Sequence, residues 1–154
     1  MEIRELASTI AIQGFSVVTN NEAEFSADTG KIPALWQKFD NAVPVNYMGG
    51  ERVYGVYSEY ESDHTGNFRV LAGFDGEHVP DDIPEQREIE HITIPTGKYL
   101  VFTHKGDMPQ IAIDAWSEVW RYFTQDKPED ERRFTLDFEH YVNGNHIDVY
   151  IAIK

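Results

Sequence analysis

The sequence contains no cysteine, few basic residues and no long apolar run. The lack of cysteine excludes disulfide bridges, thiolate metal sites and cysteine nucleophiles. Thirteen Lys and Arg face 27 Asp and Glu, so the formal net charge is −14. Because nucleic acid and anionic lipid carry charge of the same sign, we expect direct binding to neither nucleic acid nor a membrane. No apolar stretch approaches the roughly 20 residues of a membrane span, and the first residues do not resemble a signal peptide. We therefore expect a cytoplasmic protein.

Aromatic residues, in contrast, are plentiful, with three Trp, eight Tyr and nine Phe making up 13% of the chain. Combined with an acidic surface, these rings fit two interpretations. They form the core of an ordinary soluble protein, or they form a site for an organic cation, because carboxylates and ring faces both attract positive charge. Composition alone leaves both interpretations open.

The predicted elements occur twice in the same order. The first half contains a strand, an amphipathic helix and a hairpin, over residues 9–18, 32–39, 52–61 and 67–74. The second half repeats this order over residues 90–103, 107–123, 134–142 and 146–153, with a break in the strand at 95–97 and a charged turn at 125–133. The second helix begins at either Asp107 or Asp114.

The spacing between corresponding residues of the two halves is nearly constant. Trp116 follows Trp36 by 80 positions, and Tyr141 follows Tyr60 by 81. This pattern predicts a duplicated unit, since neither half alone has the size to bury its helix and sheet well. We expect a single α+β domain over residues 1–154. Its duplicated strand-helix-hairpin units, at about 7–75 and 90–154, are related by pseudo-twofold symmetry. The sheet is mainly antiparallel with the helices packed on it, an acidic linker covers about 75–90, and a ligand cleft lies between the halves.

Five short motifs, in this order, resemble the GyrI-like small-molecule-binding family, which includes the effector-binding domains of AraC-type and multidrug-sensing transcription regulators. They are Tyr-Gly-Val-Tyr at 54–57, Val-Leu-Ala-Gly-Phe at 70–74, the stretch 94–106, Trp-Ser-Glu-Val-Trp at 116–120 and Asp-Phe-Glu-His-Tyr at 137–141. The chain is most similar to free-standing members on mobile gene cassettes that bind cationic drugs. The resemblance implies an aromatic pocket with a buried Glu that receives lipophilic or amphipathic organic cations. It also leaves open a DNA-binding regulator that uses this chain in trans.

The family glutamate corresponds to Glu139 in this sequence. Strand alternation turns Phe138 to one face of the sheet and Glu139 with Tyr141 to the other. If the Phe138 face meets the helices, Glu139 lies on the opposite face. Spacing alone favours a solvated charge there, whereas the resemblance favours a pocket. The rival carboxylate, Glu118, lies roughly 200° around its helix from Trp116, and we expect it to be exposed to solvent.

The other residues expected to contact the ligand are aromatic, although core packing is the commoner role of such residues. They are Trp36, Tyr57, Phe74, Tyr99, Trp116, Trp120 and, beside the glutamate, Tyr141. The histidines lack the spacing of metal ligands, the glycines lack a phosphate-binding pattern, and no serine nucleophile elbow occurs. We predict no metal and no cofactor.

Three functions are compatible with this sequence, and we favour the first, a non-catalytic module that sequesters or senses cationic compounds. The second is a hydrolase of strained electrophilic natural products, with Glu139 as general base and Tyr57, Tyr99 or Tyr141 as proton donor. The third is a protein-interaction module resembling the gyrase-inhibiting members of the family. In that case the acidic linker at 75–90 matters more than the pocket.

Overall fold

The computed structural model describes residues 1–125 and 128–154, so positions 126 and 127 of the expected charged turn lie outside the described residues. The described chain contains the strands β1 Glu2–Leu6, β2 Ile10–Thr19, β3 Val53–Ser58, β4 Phe68–Phe74, β5 Glu90–Ile94, β6 Gly97–Lys105, β7 Leu136–Asn143 and β8 His146–Ala152. Its helices are α1 Asn21–Glu24, α2 Ile32–Ala42 and α3 Gln110–Thr124, with short 3₁₀ turns at Tyr47–Gly49 and Pro84–Glu88. None of the described helices is long and apolar enough to cross a membrane.

All eight strands form one antiparallel sheet in the order β1-β6-β8-β7-β3-β4-β2-β5. Strands β2, β3 and β4 of the first half correspond to β6, β7 and β8 of the second, and β3 pairs with β7 at the centre. The two outermost strands are exchanged between the halves, since β1 of the first half pairs with β6 of the second, and β5 of the second half pairs with β2 of the first. If each strand is replaced by its counterpart in the other half, with β1 matching β5, the strand order reads the same from both ends. This symmetry confirms the predicted α+β fold with its pseudo-twofold axis.

Both long helices pack on the sheet through apolar residues spaced three or four apart. Helix α2 begins with Pro33 in its first turn, where a missing N–H has little cost, and buries Leu35 and Phe39. Helix α3 buries Ile111, Ala115 and Val119, and it contacts β6 and β8. The two helices hold corresponding positions in the two halves.

The two faces of the sheet differ in what covers them. Phe138 of β7 packs in a cluster with Tyr54, Tyr99 and Tyr150, to which no described helix contributes a residue. Residues from α2 and α3 belong instead to the clusters on the opposite face, the face of Glu139. Alternation thus places Glu139 opposite Phe138 as expected, but the condition that the Phe138 face meets the helices is not fulfilled, because α2 and α3 cover the Glu139 face. The physical reason is that both faces of this sheet are apolar, so the apolar side of β7 does not identify the helical layer.

Candidate functional site

A buried carboxylate, Glu139, lies in the middle of β7 with only 3% of its surface exposed. Its cross-strand partner on β3 is Gly55. A Cβ atom on Gly55 would overlap Oε1 of Glu139 and would lie 3.1 Å from Cζ2 of Trp36. Glycine at this position therefore provides the space that the carboxylate occupies between the sheet and α2.

Hydrogen-bond donors surround this carboxylate. The indole N–H of Trp116 donates to Oε2 at 2.7 Å, and the hydroxyl of Tyr141 donates to Oε1 at 3.1 Å. Burial raises the pKa of Glu139 to about 7, while the donors Trp116, Tyr141 and Tyr57 act in the opposite direction. None of the ion pairs among the described residues includes Glu139. The site thus holds a carboxyl group whose pKa is raised by burial and which pairs with no cation in the part of the chain that the structure describes.

The two neighbouring tyrosines remain protonated at neutral pH. Burial first, and then the adjacent Glu139, raise the pKa of Tyr57 and that of Tyr141 well above the usual value. Both hydroxyls are therefore available as hydrogen-bond donors toward the carboxylate.

A cavity of about 530 Å³ opens next to Glu139, and we call it the main cavity. It lies between α2, the segment leading into α3, and the strands β3 and β7. Asp40 of α2 adds a second carboxyl group to its wall, and burial raises the pKa of Asp40. The described residues that line the main cavity include no Lys, Arg or His. Aromatic rings with acidic groups and no basic ones give a site whose potential favours a cation.

Four of the eight residues expected in the site line the main cavity, namely Glu139, Tyr141, Tyr57 and Trp36. The rings of Trp36 and Tyr141 meet edge to face, with centroids 5.5 Å apart. These residues come from α2, β3 and β7, so the fold brings both halves of the chain together around the carboxylate.

Trp116 and Trp120 lie on the far side of Tyr57. They line a smaller cavity of about 190 Å³, which we call the side cavity. Trp116 reaches Glu139 from this side through its indole N–H, and its ring lies 4.9 Å from that of Tyr57. Trp120 lines the side cavity and a neighbouring open cavity of about 640 Å³, and it is not among the residues that line the main cavity.

Phe74 and Tyr99 do not line either cavity. Phe74 is fully buried in the core, where its ring packs 5.9 Å from Phe39. Tyr99 lies on the Phe138 face and donates its hydroxyl to the carbonyl of Pro95 at 2.9 Å. The assignment of these two aromatic residues to the pocket is corrected accordingly. Because Tyr99 lies on the face of the sheet opposite to Glu139, it is not placed to donate a proton in the same site.

The rival carboxylate Glu118 faces away from both cavities. Its side chain is 33% exposed and lies 2.7 Å from Nε2 of His104. Helix geometry thus predicts its outward direction, although not its partner. Among residues 1–125 and 128–154, no three His, Asp or Glu side chains come together in an arrangement that could hold a metal ion.

Sequence reasoning missed three residues that shape this region, Gly55, Asp40 and Asp137. Asp137 is fully buried and accepts hydrogen bonds from Tyr60, from Arg132 and from the backbone N–H of Ala152. A signal for Gly55 exists in the sequence, since a glycine between Tyr54 and Val56 is unusual inside an aromatic strand and indicates a close approach.

The sequence model of a family described as integron-associated effector binding protein matches residues 2–153. A solved structure with the same architecture is an integron cassette protein from the mobile metagenome of Vibrio cholerae. It is 36% identical, the match covers 99% of this chain and 95% of that one, and the TM-score is 0.86.

More distant relatives include regulators. The chain is 27% identical to the transcriptional regulator BrlR of Pseudomonas aeruginosa, and the match covers 98% of this chain but 57% of that protein. The chain therefore spans a little over half the length of this curated relative. The structure of SAV2435 bound to tetraphenylphosphonium has a TM-score of 0.67 and 17% identity, and the match covers 99% of this chain and 93% of that one. At this identity the likeness concerns the fold alone.

Proposed function

Since this chain belongs to the family of integron-associated effector-binding proteins, we propose that its effectors are lipophilic organic cations held in the main cavity. It acts either alone or with a DNA-binding regulator in trans. The observation that carries this proposal is the buried carboxyl group of Glu139, which has no cationic partner among residues 1–125 and 128–154 and forms part of an aromatic wall. A bound cation supplies the missing partner.

The energetics favour a delocalised organic cation over a metal ion or an ammonium. Ionising Glu139 without a cation beside it is costly, because burial disfavours the charged form. A weakly hydrated cation restores the ionised form at a small desolvation cost of its own. Each ring that faces it adds about 0.5–2 kcal/mol of cation–π attraction. The cavity volume of about 530 Å³ lies within the range of small-molecule sites.

The acidic wall further supports a cationic ligand. Asp40 of α2 and Glu139 of β7 line the same cavity, so both carboxyl groups, when ionised, attract positive charge and repel anions. The cation in the structure of SAV2435, tetraphenylphosphonium, has the chemistry that this wall favours, and it is the natural first probe for this chain.

The contributions of ligand charge and ligand shape to binding can be separated with two probes of nearly equal size. Tetraphenylphosphonium and tetraphenylborate have the same arrangement of rings and opposite charge. We expect calorimetric titration at pH 8 to detect binding of the phosphonium and none of the borate. Glu139→Gln keeps the shape of the side chain and should weaken phosphonium binding by about tenfold or more, in line with the loss of a charged contact.

The matched control is Glu118→Gln, which removes a carboxylate that faces away from both cavities. This variant should bind the phosphonium like the wild type. Equal affinities of wild type and Glu139→Gln, or equal affinity for phosphonium and borate, would contradict the proposed function.

The hydrolase remains a second candidate because of one observation. A carboxyl group with a pKa of about 7 lies 3.1 Å from the protonated hydroxyl of Tyr141, which is an arrangement suited to general base and general acid. Glu139 would take a proton from the attacking water, and Tyr141 would protonate the leaving atom of a strained ring. If the protein hydrolyses an epoxide-bearing or cyclopropane-bearing electrophile, mass spectrometry should detect a product heavier by one water molecule. The Glu139→Gln variant should form no such product. Recovery of unchanged substrate would exclude this function for the compounds tested.

A further inference from the structure

The side cavity adjoins the site of Glu139 but is distinct from the main cavity. Ile32 and Tyr57 border both spaces. Trp116 completes the partition, since its ring meets that of Tyr57 edge to face at 4.9 Å and its indole N–H reaches Oε2 of Glu139. The barrier between the two cavities at this point is therefore only one layer of aromatic side chains.

Aromatic rings dominate the wall of the side cavity. They belong to Tyr57, Tyr60, Phe68, Trp116 and Trp120. The ring of His64 meets that of Trp120 edge to face at 5.2 Å and forms the outer rim. Flat faces and edges of this kind suit a planar aromatic group.

The two charged residues in the wall of the side cavity already have partners. Arg132 donates to Oδ2 of Asp137 at 2.7 Å. The carboxylate of Glu24 accepts from the backbone N–H groups of Lys31 and Ile32, at 2.8 and 3.1 Å, and so satisfies the start of α2. The charge of Arg132 is thus paired with Asp137, and the carboxylate of Glu24 is turned toward the N-terminus of α2, where the helix dipole favours it. Aromatic rings therefore dominate what the side cavity offers to a ligand, whereas a buried carboxyl group adjoins the main cavity.

We propose that the side cavity is a second subsite, which takes an uncharged aromatic arm of the same ligand whose cationic centre pairs with Glu139. This inference rests on the proposed function and specifies the class of ligand, an elongated cation with one flat ring on a short linker. An apolar cavity of about 150 Å³ holds a benzene molecule. The volume of about 190 Å³ therefore fits one ring of this size.

The partition between the subsites opens through a single side chain. The bond from Trp116 to Oε2 of Glu139 holds the indole beside Tyr57. When the ring of Trp116 turns aside, which breaks this one hydrogen bond, the arm passes along Ile32, which borders both cavities.

Three phosphonium probes test the second subsite by calorimetric titration of the full chain. Each carries three phenyl groups, and the fourth substituent is methyl, 3-phenylpropyl or n-nonyl, of which the last two have the same number of carbons. We expect the phenylpropyl cation to bind about tenfold more tightly than the methyl cation, and more tightly than the nonyl cation. In Trp120→Ala and, independently, in His64→Ala, this gain should fall below about threefold. His64 is exposed in the loop between β3 and β4, so we expect His64→Ala to fold normally. It therefore tests the side cavity even if Trp120→Ala fails to fold.

The outcomes distinguish the inference from the proposed function. If the methyl cation binds in a Glu139-dependent manner but phenylpropyl and nonyl bind equally, or the phenylpropyl gain survives in both variants, the second subsite is overturned and the proposed function stands. If none of the three cations binds the wild type, both are overturned.

Discussion

Replacing Glu139 by Gln should stabilise the protein at alkaline pH, measured without ligand, while it weakens cation binding. The reason is the cost of a buried charge. The pKa of Glu139 in the folded protein, about 7, lies above the ordinary value of 4.5 that applies in the unfolded chain. The folded state therefore holds this proton more tightly, and the resulting stability, complete below pH 4.5, is lost as the pH rises toward 7. A neutral Gln has no such dependence.

The magnitude follows from the two pKa values. Proton linkage with 4.5 in the unfolded state and about 7 in the folded state lowers the wild-type stability by about 2.5 kcal/mol between pH 5 and pH 8. Between pH 5 and pH 8, the unfolding free energy of Glu139→Gln should therefore rise by this amount relative to that of the wild type. Any change in the hydrogen bonds from Trp116 and Tyr141 adds a term of about 1 kcal/mol that does not vary with pH.

Urea unfolding of both proteins at pH 5, 6, 7 and 8, without ligand, measures this shift directly. Glu118→Gln is the matched control, because it removes the same type of charge from a half-exposed position. The reasoning is refuted if the difference between Glu139→Gln and wild type stays constant across this range, since the carboxyl group would then titrate alike in both states.

Three further predictions concern the same region. The affinity for tetraphenylphosphonium should fall about tenfold for each pH unit below about 7 and level off above it, because only the ionised Glu139 pairs with the cation, and a flat titration profile from pH 5 to 8 would contradict this. Gly55→Ala should abolish cation binding in calorimetry, because its Cβ would displace the carboxylate and press on Trp36, whereas unchanged affinity would show that the glycine is dispensable. Asp137→Asn should lower the unfolding free energy by about 3–5 kcal/mol in urea titrations, since the 11%-exposed Arg132 then loses its only charged partner among the described residues, and a loss below about 1 kcal/mol would contradict this.

Strands and helices with a clear period could be predicted from the sequence. The alternation in β7 and the three-to-four spacing of buried residues in α3 both correspond to elements of the structure. Strand β1 has no such signal, because Glu2–Leu6 is an edge strand with three charged residues, and its two apolar residues, Ile3 and Leu6, are three positions apart. It is a strand because β6 pairs with it, and a partner about 95 residues away leaves no local pattern.

The site could be predicted only in part, for a comparable reason. The glutamate motif and its alternation with Phe138 place Glu139, but aromatic content does not reveal which face a ring occupies. Tyr99 and Phe74 lie in strands as rich in apolar residues as those of the cavity, and only the packing of the sheet directs them into the core. Asp137 illustrates the opposite error, since an acid in an alternating strand suggests solvent. It is instead fully buried, with donors from Tyr60, Arg132 and Ala152, all outside its own strand.

The exchange of the outer strands has a consequence for synthesis of the chain. Three of the seven strand pairings, β1 with β6, β2 with β5 and β3 with β7, join one half to the other. While the chain is still emerging from the ribosome and ends within residues 75–90, β2 and β3 have no neighbour on one side and β1 has none at all. Their open edges are templates for association with other nascent chains. Completion of the sheet waits for the last two strands, so folding is late, slow and dominated by contacts far apart in sequence.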